Sequence, residues 1–142
     1  KSTFVGVDLA NDEERYDALH FAPLFKRCRD EGLQVTIHAG EIPSTKASAN
    51  VNIAMETFGA HRIGHGIHVL RDESIVKKAR DFGTVFEVCP TSNILTGSVD
   101  SLSRHPIREM LNKNLRVTLS TDDPGLFLVD LEQECLTALV QC

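Results

Sequence analysis

Three short stretches of the chain carry imidazole or carboxylate groups of the kinds that hydrolytic chemistry uses. His38 and Glu41 share His38-Ala39-Gly40-Glu41, His65 stands between Gly64 and Gly66, and Asp122 and Asp123 are adjacent in Ser120-Thr121-Asp122-Asp123-Pro124. Two imidazoles and a carboxylate are sound zinc ligands or water-orienting groups, and a fourth coordination position left open admits water. Each stretch alone has a plainer reading: a hydrogen-bonded core His, a solvated Glu, or an Asp-Asp-Pro helix cap or turn. Their recurrence at the ends of successive strands favours a site. His20, His61, His68 and His105 flank elements or follow the site loops and are expected to be incidental.

The elements that must position these groups are legible from periodicity. Short β-rich runs recur at Thr3 to Val7, Gln34 to Ile37, His61 to Ile63, Thr84 to Val88 and Arg116 to Leu119, their starts 23 to 32 residues apart. Helical patterns fill the gaps over Phe21 to Arg29, Ala47 to Phe58, Asp72 to Phe82 and the stretch opened by Pro106, and another begins at Leu131. Pro90 to Arg104, rich in Ser, Thr, Asn and Gly, reads as one long irregular loop. Strand–helix alternation at this spacing predicts parallel βα units in one α/β domain over residues 1–142. A doubly wound nucleotide-binding sheet would show a Gly-rich phosphate turn, and none is present. The alternative is a (β/α)8 TIM barrel, in which about 30 residues per unit make this chain roughly five of eight units. In either architecture sites lie just past the C-terminal ends of strands, where His38, His65 and Asp122 fall. Alternation places Gln34, Thr36 and His38 on one face of their strand, and Thr118, Ser120 and Asp122 on one face of theirs.

Composition excludes other classes. The 142 residues are 42% apolar and 25% charged, which suits a globular domain and not a collagenous, coiled-coil or disordered chain. No apolar run approaches the roughly 18 residues of a membrane span. A net charge of −5 without a basic block argues against nucleic acid as a partner. Cys28, Cys89, Cys135 and Cys142 form no CxxC pair and are expected as reduced thiols in a cytoplasmic protein.

His-Ala-Gly-Glu at 38–41, Arg-Ile-Gly-His-Gly at 62–66, Glu-Val-Cys-Pro-Thr-Ser-Asn at 87–93 and Ser-Thr-Asp-Asp-Pro at 120–124 resemble motifs of the adenosine deaminase family of metal-dependent hydrolases. Val7-Asp8-Leu9-Ala10-Asn11-Asp12-Glu13 resembles that family's motif after the fourth barrel strand. The motifs run in order over essentially the whole chain. The resemblance implies a barrel segment from about strand 4 to strand 8, and a family His-x-His pair on the first strand is absent from these residues. The first three units and the helices beyond the eighth strand are accordingly expected outside this chain.

The resemblance also implies roles. His38 and Asp122 match zinc ligands, and Glu41 matches the acid that protonates purine N1. His65 matches the His that orients the attacking water and assists its deprotonation. Asp123 matches the carboxylate contacting N7, and Asn11 falls where the family usually has a Gly whose backbone N–H reaches N3. The implied reaction is zinc-dependent deamination of adenosine to inosine and ammonia, a nucleophile being generated near pH 7 and N1 protonation activating C6. Members acting on free adenine tend to carry Asp where this chain has Gly64, and AMP would call for more basic residues near the strand ends than Lys46 and Arg71. The His-x-Glu…Pro-Cys-x-x-Cys signature of cytidine-type deaminases is absent. The other readings are deamination of adenine- or AMP-type purines, and a non-catalytic or incomplete barrel whose open edges self-associate.

Overall fold

The computed structural model describes residues 3–10 and 12–142. Five parallel strands form one sheet in sequential order: β1 (Gly6–Leu9), β2 (Gln34–Ala39), β3 (Arg62–His65), β4 (Val85–Val88) and β5 (Arg116–Leu119). Between them run α1 (Ala22–Asp30), α2 (Ala47–Glu56), α3 (Glu73–Phe82), α4 (Pro90–Leu95) and α5 (Ile107–Asn112). After β5 come α6 (Pro124–Phe127) and α7 (Leu131–Gln141). Sequential parallel order with a helix in each crossover is the βα progression that periodicity predicts, and it curves a barrel wall rather than an open doubly wound sheet.

The two faces of the sheet divide by chemistry. Val35, Ile37, Ile63, Phe86 and Val88 are buried and share a core with Phe25 of α1, Val51 and Met55 of α2, Val76 of α3 and Met110 of α5. Phe25 meets Phe58 edge to face at 5.3 Å. Each fully buried side chain of this size contributes about 1.5–3 kcal/mol, so this layer holds the helices against the sheet. The opposite face carries the paired row His38, Gly64, Glu87 and Thr118. α3 shows local and tertiary signals agreeing: Asp72 accepts the Ser74 N–H at 2.9 Å at its start, and Gly83 at φ 70° closes it.

Three expectations change. The first strand lies at Gly6–Leu9 rather than Thr3 to Val7, because its register on β2 runs from Gly6↔Gln34 to Leu9↔Ile37 and leaves Phe4 and Val5 exposed. β2 extends through Ala39 and β3 through His65, so both histidines belong to strands and not to the loops after them. The stretch Pro90 to Arg104 is not irregular throughout. It begins with α4 and ends in a 3₁₀ turn at Leu102–Arg104, Pro90 taking the first helical turn where a missing N–H costs nothing. Among the described residues no helix is long and apolar enough to cross a membrane.

Candidate active site

His38, near the end of β2, is fixed by both strands beside it. Its Nδ1 lies 3.3 Å and 3.2 Å from the two carboxylate oxygens of Asp8 on β1. That contact assigns the Nδ1 proton and leaves Nε2 for a ligand, the carboxylate–imidazole pairing typical of metal-binding histidines. The Asp8 hydrogen bond raises the His38 pKa above its ordinary value although burial pulls the other way. On the other side Gly64 of β3 pairs with His38, and a Cβ there would come within 2.9 Å of the imidazole ring. The ring's place is thus reserved by the absence of a side chain at 64.

His65, at the end of β3, is 2% exposed and adopts a left-handed backbone with φ 60°. Its ring centroid is 5.3 Å from that of His38. Nε2 faces Glu41 Oε2 at 3.6 Å and Asp122 Oδ2 at 3.8 Å. These separations exceed direct hydrogen bonds, so the three groups surround a common point instead of saturating one another. Burial pulls the His65 pKa down. Asp122 also has a left-handed backbone, with φ 59°. Two non-glycine residues held in that region, both at the strand ends, mark a place where surrounding structure over-determines the backbone.

The short helix α4 supplies three consecutive contacts. Thr91 N–H donates to Glu134 Oε2 of α7 at 3.3 Å, Ser92 Oγ donates to Asp122 Oδ2 at 2.7 Å, and Asn93 Nδ2 lies 3.1 Å from His65 Nδ1. Asn93 Oδ1 is in turn 3.2 Å from His105 Nε2, and His105 Nδ1 accepts the Ile107 N–H at 3.2 Å. Burial pushes the His105 pKa down to about 4, so its ring is neutral. His105 is therefore not incidental: it is a buried link to the site, one connection removed. Sequence spacing gave no hint of it, because His105 meets Asn93 only once α4 folds back.

Glu41 stands beyond β2. Its Oε1 accepts the Thr96 hydroxyl at 3.1 Å and the Ser98 hydroxyl at 3.4 Å, leaving Oε2 toward His65. The loop carrying it is held by Glu13, whose carboxylate accepts the N–H groups of Gly40 (2.7 Å), Glu41 (2.7 Å) and Ile42 (2.8 Å) and the side-chain amide of Asn50 (2.9 Å). Gly40, at φ 70°, has no room for a side chain, since a Cβ would lie 2.6 Å from Val51. Glu13 lies in the motif after β1, but its type and position alone do not reveal that it cradles a loop 27 residues away.

The remaining predicted positions are brought less fully together. Asp123 is exposed beside Asp122, and its side chain makes no hydrogen bond or ion pair among the described residues. Asn11 lies outside the described residues. A cleft of about 250 Å³ opens beside His38, lined by Leu9, Ala10, Tyr16 and Phe21 among others. Ligand atoms of His65, Cys89 and Asp122 lie within 4.8 Å of one another. Burial, with nearby carboxylates, pushes the Cys89 thiol up to about 12, so without a metal it is protonated at neutral pH. His38 Nε2 and the Asp122 carboxylate also offer atoms of the types that bind zinc, with His65 beside them.

The family model described as "Adenosine deaminase" matches residues 1–141. The chain belongs to the adenosine deaminase family. It is 35% identical over 134 residues to an adenosine deaminase of Plasmodium gallinaceum, covering 94% of this chain and 36% of that protein. It is 40% identical over 129 residues to an adenine deaminase of Rhizobium leguminosarum bv. trifolii, covering 91% of this chain and 39% of that one. Among solved structures, an adenine deaminase from Arthrobacter aurescens superposes with a TM-score of 0.89 at 28% identity, over 96% of this chain and 41% of its own. The N6-methyl-AMP deaminase of Arabidopsis thaliana gives 0.81 at 32% identity, over 95% and 38%. The chain thus spans about two fifths of the length of these proteins, and its sheet corresponds to part of a TIM-barrel deaminase fold.

In this deaminase-family chain Glu13 yields a direct test of how the acid loop is held. Glu13→Gln turns one acceptor oxygen into an NH2 group facing backbone N–H donors. The expected result in the complete protein is a loss of about 2–3 kcal/mol of stability by denaturant titration, with kcat falling more than KM rises. Unchanged stability and turnover would remove Glu13 from this role.

Proposed function

We propose that the complete protein carrying this chain is a zinc-dependent aminohydrolase that converts adenosine to inosine and ammonia. The observation that carries this reading is the convergence of Glu41 Oε2 and Asp122 Oδ2 on His65 Nε2, next to a His38 whose Nδ1 is already engaged by Asp8. His38 and Asp122 would hold the metal, which fits because each keeps a donor atom uncommitted. Zinc, when bound, supplies the Lewis acidity that lowers the pKa of water to around 7.

The chain's own residues then divide the work. Glu41, as a carboxylic acid, gives its proton to purine N1 and withdraws electron density from C6. His65 orients the attacking water toward C6, with its position set by Asn93. As the C6–O bond forms, one water proton passes to the Glu41 carboxylate left by N1 protonation and C6 becomes tetrahedral; the remaining hydroxyl proton then moves to the amino group, the C6–N bond breaks, ammonia leaves and the C6 carbonyl forms. Asp123 contacts N7. The apolar cleft between the segment after β1 and His38 accommodates the face of a ring.

Adenosine is favoured over adenine by Gly64, which puts no carboxylate against the His38 ring. It is favoured over AMP because the Arg71 guanidinium is committed to the Ser44 carbonyl at 2.7 Å. The expected result is a higher kcat/KM for adenosine than for adenine, AMP or N6-methyl-AMP in the zinc-loaded complete protein. A preference for one of the other three overturns the substrate, and ammonia release from none of them favours a non-catalytic barrel.

A further inference from the structure

We infer that Asn93 and His105 are positioning residues that fix the polarity of His65, so that its Nε2 meets the reacting centre as an N–H donor and not as a bare base. The starting point is a group whose polarity cannot change. The Ile107 backbone N–H, at the start of α5, points at His105 Nδ1 at 3.2 Å, and a backbone N–H can only donate. His105 Nδ1 is therefore the acceptor, and the proton of its neutral ring sits on Nε2. That proton is directed to the Asn93 side chain at 3.2 Å, which must present its oxygen there. The Asn93 amide NH2 is thereby turned to His65 Nδ1 at 3.1 Å, and His65 Nδ1 accepts.

An imidazole with its lone pair on Nδ1 carries its proton on Nε2, the atom facing Glu41 and Asp122. Reversing the chain would flip the Asn93 amide, move the His105 proton to Nδ1 and set two N–H groups head to head at Ile107. Both Asn93, fully buried, and His105, 4% exposed, are shut away from water that could rescue that arrangement. The polarity of the whole relay is thus set by one peptide group 42 positions along the chain from His65. In the aminohydrolase reading, on which the catalytic half of this inference rests, His65 donates to the attacking oxygen and stabilises charge growing there. The proton lost by the water goes to a carboxylate of the site, not to His65.

Long-range 1H–15N correlation spectra of the complete zinc-loaded protein read the tautomer directly, with His65 assigned by its loss in His65→Gln. The expected spectrum shows His65 protonated on Nε2 and bare on Nδ1. Asn93→Asp, which can only accept at both ends, is expected to move the proton to Nδ1. It should also lower kcat by about 10²–10³-fold with KM changed little, the usual cost of one misdirected donor at a reacting oxygen. A wild-type His65 protonated on Nδ1 overturns the inference, whether or not the variant folds. An Nε2 proton retained in a folded Asn93→Asp also overturns it. A protein that shows the predicted tautomer but deaminates no purine would refute the functional reading alone.

Discussion

Glu41→Gln in the complete protein is expected to keep its metal and lose most of its turnover, kcat falling about 10²–10⁴-fold. The amide is nearly isosteric, and its oxygen can still accept the Thr96 and Ser98 hydroxyls that hold Oε1. The Glu13 cradle acts on the backbone of residues 40–42, so the loop keeps its course. On the proposed mechanism, what is lost is a proton that can be handed to N1. His38→Ala and Asp122→Ala, by contrast, remove donor atoms and should lose zinc and activity together. Zinc content by elemental analysis beside adenosine-to-inosine conversion separates the two outcomes. Glu41→Gln with wild-type turnover would exclude the acid assignment.

Residues 1–142 purified alone are expected to give no measurable conversion of adenosine with zinc added, and to elute from a sizing column as oligomers. β1 and β5 each pair on one side only within the described residues, leaving backbone donors and acceptors open along both edges. Large apolar side chains stand exposed nearby, among them Val5 (80%), Leu126 (73%), Leu128 (87%) and Leu139 (77%). Among the described residues there is no second sheet to cover the face that carries His38, Gly64 and Glu87. On the proposed assignment this chain supplies two zinc donors, His38 and Asp122, and two would hold the metal weakly compared with four. Supplying the missing barrel units as a separate chain should restore part of the activity by closing the sheet. Robust turnover by a monomer of this chain alone would contradict both the open-edge and the missing-donor arguments.

The amino-acid sequence determined the βα progression, because apolar periodicity and caps such as Asp72 and Gly83 act within one element. It also marked His38, Glu41, His65 and Asp122, because chemistry-bearing residues recur at strand ends and the motifs around them resemble one family. Strand limits were less legible: Thr3-Phe4-Val5 has as much β character as Gly6 to Leu9, and only pairing with β2 chooses between them. The Ser- and Asn-rich stretch after Pro90 has weak helix propensity, and burial of Ser92 and Asn93 against Asp122 and His65 overrides it. Tertiary structure alone decided the supporting groups: Asp8 behind His38, Glu13 beneath the acid loop, and His105 behind Asn93. Each acts across 12 to 37 positions of sequence through a hydrogen bond whose direction depends on three-dimensional placement. Reactive side chains carry a chemical signature in their type, whereas a group that holds them does so by position, and position exists only in the folded chain.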